Sequence, residues 1–136
     1  MTSQATPLAN PANETGDGRR KRILIAEDTD SNYMLLEILL RKHYALDRAC
    51  DGLEAVEKAK KEPYHLVLMD IRMPHLNGIE ATRAIREFNT LLPIIAQTAN
   101  AFDTDREAAL SAGCNDLITK PIGFEALNAL IKKYIL

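Results

Sequence analysis

Five side chains in this chain could do chemistry together. Glu27 and Asp28 follow the apolar run Arg22-Ile23-Leu24-Ile25-Ala26, and Asp70 follows His65-Leu66-Val67-Leu68-Met69. Thr98 closes Pro93-Ile94-Ile95-Ala96-Gln97, and Lys120 closes Asp116-Leu117-Ile118-Thr119. Three carboxylates drawn close together repel, and each raises the others' pKa. A hard divalent cation relieves that repulsion and prefers oxygen ligands. Magnesium keeps several waters and needs only one or two carboxylates plus phosphate oxygens. A carboxylate can also attack phosphorus, giving an aspartyl phosphate. Charge on the transferring phosphoryl oxygens is then met by metal, ammonium and hydroxyl. The acids, Thr98 and Lys120 match those needs.

The elements around them must bring these residues to one place. From Arg22 the chain alternates strand-like and helix-like patterns. Strands are expected at Arg22–Ala26, Ala45–Ala49, His65–Met69, Pro93–Gln97 and Asp116–Thr119. Helical spacing marks Ser31–His43, Leu53–Lys61, Ile79–Phe88, Thr104–Ala112 and Phe124–Ile135. The expected buried faces are Met34, Leu35, Ile38 and Leu39 in the first helix, and Leu53, Val56 and Ala59 or Lys60 in the second. In the third they are Ile79, Ala81 or Thr82, Ile85 and Phe88; in the last, Leu127, Leu130, Ile131 and Ile135. Asp51-x-x-Glu54, Asn77-x-x-Glu80 and Thr104-x-x-Glu107 have the form of capping boxes. Asp30 and Ser31 are placed to cap the first helix. Five strand–helix units in about 115 residues imply a parallel sheet covered on both faces. All strand carboxyl ends then share one edge, where open α/β sheets bind ligands.

Composition excludes several classes. The 136 residues suit one domain with a short tail, and a net charge of -2 argues against nucleic acid and anionic membrane surfaces. The longest nearly apolar run, Tyr33–Leu40, holds Glu37 and is too short to span a bilayer. Residues 1–19 have almost no large apolar side chains and read as a disordered leader or linker, with the domain at 20–136. Arg19-Arg20-Lys21-Arg22 reads as a solvated entry to the first strand. Cys50 and Cys114 lack ligand-like spacing and read as reduced thiols. His43, His65 and His75 are scattered without metal-ligand spacing.

The runs Ile-Ala-Glu27-Asp28, Leu-Met-Asp70-Ile-Arg-Met-Pro74-x-x-Asn-Gly78, Gln-Thr98-Ala99 and Ile-Thr-Lys120-Pro121 together resemble a response-regulator receiver domain of two-component phosphorelays. The likeness covers about Arg20 to Leu136, and its details are similar to receivers attached to hybrid sensor histidine kinases. It implies an α/β, doubly wound (βα)5 fold with a five-stranded parallel sheet in the order 2-1-3-4-5. It implies Asp70 as phosphoryl acceptor and Mg²⁺ as cofactor. The metal would be held by Asp28, by Glu27 through water, by Asp70 and by the Arg72 backbone carbonyl. Thr98 with Ala99, and Lys120, would be the switch and phosphoryl-binding positions, and Lys120-Pro121 a cis peptide. Arg72 and Asn100 stand where this family modulates phosphoryl lifetime.

The family usually has Tyr or Phe three residues before the lysine. Here Leu117 stands there, so the aromatic step of switching is expected to be missing. The implied partner is a sensor histidine kinase or a histidine-phosphotransfer domain, with a transient homodimer as a further option. The switching surface would be the fourth helix, fifth strand and fifth helix. The implied setting is cytoplasmic, favouring a receiver from the C-terminal part of a hybrid kinase over a stand-alone one, and no turnover enzyme is expected. Two other classes stay open on the residues alone. A docking-only pseudo-receiver would lack acids or the lysine. An aspartyl-phosphate phosphatase of the haloacid-dehalogenase type would want Asp-x-Asp after the first strand; Asp28-x-Asp30 fits that only in part.

Overall fold

The computed structural model describes residues 20–99 and 103–135. The expected leader at 1–19, and Asn100, lie outside them. Strands β1 (Arg22–Ala26), β2 (Ala45–Ala49), β3 (Leu66–Asp70), β4 (Ile94–Thr98) and β5 (Asp116–Thr119) alternate with five helices. These are α1 (Asp30–Leu40), α2 (Gly52–Lys61), α3 (Gly78–Arg86), α4 (Asp103–Ala112) and α5 (Phe124–Tyr134). The strands form one parallel sheet in the order β2-β1-β3-β4-β5, as expected. β3 and β4 each run one residue further than the apolar pattern suggests, so Asp70 and Thr98 close their strands.

Alternation along the strands makes two cores. Leu24, Ala26, Val67, Met69, Ile94 and Ala96 pack with Ala55 of α2, Ala81 and Ile85 of α3, and Ala109 of α4. Ile23, Ile25, Leu66, Leu68, Ile95 and Ile118 pack with Leu36 and Leu40 of α1 and Leu127 and Ile131 of α5. β3 and β4 are buried along their whole length, which is why they read as continuous apolar runs. Extending the alternation one step places Glu27, Asp70, Gln97 and Lys120 on the α1/α5 face, at the carboxyl edge.

Several helix faces differ from the sequence expectation. In α1 the buried residues are Leu36 and Leu40, while Met34, Leu35 and Ile38 are 56%, 43% and 56% exposed. The helix is apolar almost all round, so its spacing fits more than one face, and packing against the sheet decides. In α2 and α3 small residues meet the sheet, and Leu53 and Phe88 stay exposed. α5 buries Leu127 and Ile131 as expected. The Asn77–Glu80 capping box is complete. Asp51 caps Glu54 N–H, but the Glu54 carboxylate accepts from Cys50 N–H at 2.5 Å instead of closing the box. The N-cap of α1 is Thr29, without a side-chain bond, and Asp30 pairs with Arg48 at 2.9 Å. The Thr104 side chain is outside the described residues.

Gly78 is required by contact rather than by φ. A Cβ there would overlap the carbonyl oxygen of Asp70 and crowd Met69. With Gly78 N–H donating to Ile71 O at 2.9 Å, the start of α3 lies directly against the end of β3.

Candidate functional site

β1, β3 and β5 deliver the site. Glu27 is fully buried and Asp70 is 4% exposed, whereas Asp28 is exposed at the rim. One carboxylate oxygen from each of Glu27, Asp28 and Asp70 can be chosen so that all three lie within 4.8 Å of one another. Lys120 reaches this cluster from the end of β5. Its Nζ is 3.2 Å from Asp70 Oδ2 and 3.4 Å from Glu27 Oε1. The Lys120–Pro121 peptide is cis, as the motif implies. Lys120 N–H donates to Thr98 O at 2.8 Å, which ties the lysine's strand end to that of the hydroxyl. Thr98 itself is buried, 2% exposed, and Ala99 after it is exposed.

Backbone donors hold the acids in place. Arg72 N–H donates to Asp70 Oδ1 at 3.3 Å, and Thr29 N–H to Glu27 Oε2 at 3.2 Å. Burial pushes the Glu27 carboxyl above the usual carboxylate range. The negative charge of Asp70 adds to the shift, and the Thr29 amide and Lys120 oppose it. Among the described residues Glu27 Oε1 has no hydrogen-bond partner, although it is buried and the Lys120 ammonium stands 3.4 Å away. Such an atom, beside two further carboxylates and, among the described residues, one ammonium, suits a hard cation. The donor set therefore fits Mg²⁺.

Loops around the site are also fixed. The Arg72 guanidinium pairs with Asp105 of α4 at 3.1 Å, joining the loop after β3 to the helix after β4. His75, with φ of 68°, places Nδ1 2.8 Å from Asp51 Oδ2 at the α2 N-cap. Arg48 of β2 donates to Glu27 O at 3.0 Å and lies over the Tyr33 ring. Leu117 is half-buried and packs toward α2–α4. The sequence reading overlooked Arg48 and the Arg72–Asp105 pair, since both depend on contacts between distant segments. It also passed over Gln97, the polar interruption in the apolar run of β4, which is fully buried with neither amide atom hydrogen-bonded among the described residues. Cys50 is exposed and Cys114 buried, and both are free thiols. Among the described residues no helix is long and apolar enough to cross a membrane.

Comparisons with known proteins agree with this geometry. The model of the response regulator receiver domain family matches residues 23–132. The sensor protein EvgS of Escherichia coli K12 is 42% identical over 106 residues, covering 77% of this chain and 9% of EvgS. The chain thus spans only a small part of the curated relatives it matches. The receiver domain of sensor histidine kinase PA1611 from Pseudomonas aeruginosa, crystallised with a magnesium ion coordinated in its active-site cleft, is 40% identical. It has a TM-score of 0.81, with 85% and 97% of the two chains covered. A co-crystal of Saccharomyces cerevisiae Ypd1, a histidine phosphotransfer signaling protein, with the receiver domain of its downstream response regulator Ssk1 also matches. It does so at 36% identity and TM-score 0.80, covering 85% and 88%.

Proposed function

The chain belongs to the response regulator receiver family, and from that premise we propose that it takes a phosphoryl group from a phosphohistidine onto Asp70. The observation that carries this is Asp70 itself. It is an almost buried carboxylate at a strand end, 3.2 Å from the Lys120 ammonium and beside two more acids. Among the described residues its partners are the Lys120 ammonium, the Arg72 amide and the neighbouring Glu27 carboxyl. In the transfer, an Asp70 oxygen attacks phosphorus and the P–N bond to the donor's imidazole breaks. The imidazole nitrogen keeps the bonding pair. Lys120 meets the charge on the phosphoryl oxygens, and the Thr98 hydroxyl donates to them, with Ala99 completing that side of the pocket. Glu27, Asp28, Asp70 and the Arg72 carbonyl would hold Mg²⁺, which when bound neutralises phosphoryl charge.

The domain would catalyse its own phosphorylation and dephosphorylation and turn over no separate substrate. Phosphorylation draws Thr98 and Lys120 inward and biases a two-state equilibrium read on α4, β5 and α5, without an aromatic at Leu117. The donor is a sensor histidine kinase or a histidine-phosphotransfer protein, in the cytoplasm. In-line transfer presses that donor onto the carboxyl edge beside Asp70. There α1 offers the exposed apolar residues Met34, Leu35 and Ile38 to cover. In the test, native chain with Mg²⁺ and acetyl phosphate gains one phosphoryl group and Asp70→Asn gains none. Labelling of Asp70→Asn at the native rate overturns the assignment.

A further inference from the structure

Asp28 is the least constrained of the three acids. Glu27 is buried and held by the Thr29 amide and Lys120, and Asp70 is held by Lys120 and the Arg72 amide. Asp28 is exposed, and among the described residues no hydrogen bond or ion pair holds its carboxylate. The backbone of the turn at 27–30, between β1 and α1, therefore sets its direction. That turn is weakly closed from within, since the N-cap Thr29 makes no side-chain bond to α1. Arg48, on the edge strand β2 and opposite Ile25 in register, grips it from outside. Its Nε donates to Glu27 O at 3.0 Å and its Nη1 to Asp30 Oδ1 at 2.9 Å. The guanidinium also lies 4.8 Å from the centre of the Tyr33 ring on α1. One planar fork thus ties the residue before Asp28 to the residue two after it.

We propose that Arg48 is a positioning residue for Asp28, and that its fork sets the affinity of the acid cluster for Mg²⁺. The inference rests on the metal-assisted reading above and adds what keeps the exposed ligand in place. Charge and positioning pull in opposite directions here. A cation beside the acids repels Mg²⁺, and its removal would also release the negative charge of Asp30. Charge alone therefore predicts tighter binding without Arg48. That effect is small, because Arg48 is already neutralised by Asp30, whose side chain is 85% exposed, and water screens what remains. Loss of the fork acts the other way. It frees both ends of the turn, and Asp28 must then be ordered anew each time the metal binds. Losing a residue that orients a metal ligand weakens metal affinity by about ten- to a hundredfold. Positioning outweighs charge, so binding should weaken.

The test measures Mg²⁺ dissociation constants of the full chain from the rise in melting temperature across a Mg²⁺ series, which needs no phosphoryl donor. Arg48→Met keeps an apolar stem and removes the donors, and its Kd should rise about tenfold. Arg48→Lys keeps the charge, but one ammonium cannot bridge Glu27 O and Asp30 as the fork does, and its Kd should rise nearly as much. Arg86→Met, which loses three bonds far from the acids, controls for lowered stability and should keep the native Kd. In an Asp28→Asn chain, adding Arg48→Met should change the Kd by less than about twofold, because both act through one carboxylate. A native or tighter Kd in Arg48→Met overturns the proposal, and so does a native Kd in Arg48→Lys, since charge would then suffice. An equal rise in Arg86→Met overturns it as a mere effect of stability. Additive effects of Arg48→Met and Asp28→Asn overturn it too, because Arg48 would then act elsewhere. If Mg²⁺ does not raise the melting temperature of the native chain, the metal reading itself fails.

Discussion

Replacing Glu27 by Gln should make the metal-free domain more stable, although it deletes a group of the proposed site. Glu27 is fully buried, with carboxylate oxygens of Asp70 and Asp28 within 4.8 Å and the Lys120 ammonium at 3.4 Å. At an effective dielectric constant of about 20, a carboxylate at the 4.8 Å limit repels by at least about 3.5 kcal/mol and the ammonium at 3.4 Å attracts by about 5 kcal/mol. Since 4.8 Å is the upper limit of that separation, the Asp70 repulsion is larger than this figure, and it outweighs Lys120 in raising the Glu27 pKa, so the charges around Glu27 give it no net stabilisation. What remains is the desolvation of a buried charge, several kcal/mol in general. Gln removes most of it but weakens the bond from Thr29 N–H. The expected net gain is about 1–2 kcal/mol, or roughly 4–8 °C for a domain of this size.

The pH dependence has a definite sign. The folded-state pKa of Glu27 lies above its unfolded value, chiefly through burial. Its contribution to stability is therefore complete below the ordinary carboxylate pKa and is lost as pH rises through the raised one. In EDTA, native protein should gain stability on acidification from the pH at which folded Glu27 takes up its proton down to the ordinary carboxylate pKa, and Glu27→Gln should lack that part of the gain. Mg²⁺ at about a hundred times its dissociation constant should add about 2.7 kcal/mol to native protein and less to the variant. Thermal melts in EDTA and in Mg²⁺ across this range measure all of these effects. A Glu27→Gln chain less stable than native in EDTA at about pH 8 refutes the reasoning.

Two further predictions concern the frame. Gly78→Ala forces a methyl group onto the Asp70 carbonyl oxygen, which is backbone and cannot yield cheaply. It should cost about 3 kcal/mol in urea unfolding and slow acetyl phosphate labelling, because the acceptor strand end must shift. Arg86→Met removes bonds to Gly113 O at 2.9 Å, Asn89 O at 3.0 Å and Asn115 Oδ1 at 2.9 Å, far from the acids. It should cost about 2–3 kcal/mol in the same assay and leave labelling of the folded fraction unchanged.

The site was legible because each of its residues directly follows an apolar run of strand length, and parallel strands bring such ends to one edge. Strand order followed from the resemblance and helix number from the alternation. The face of α1 was not legible. Tyr33 to Leu40 is apolar on nearly every side, and only packing against β1 and β3 selects Leu36 and Leu40. Small residues misled in α2, where Gly52, Ala55 and Ala59 take the sheet side and bulky Leu53 does not. Close approach of helix to sheet favours the smaller side chain, which a search for large apolar residues overlooks. The Arg72–Asp105 and Arg48–Asp30 pairs join segments that nothing in local spacing connects.

The central claim is that the acid closing β3 forms the covalent phosphoryl bond. Phosphorylated native chain is treated with borohydride, which reduces an aspartyl phosphate to homoserine, and is then mapped by peptide mass spectrometry. Homoserine at position 70 and at no other acid is the expected result. Homoserine at position 28, or a labelled chain with position 70 intact, contradicts the account.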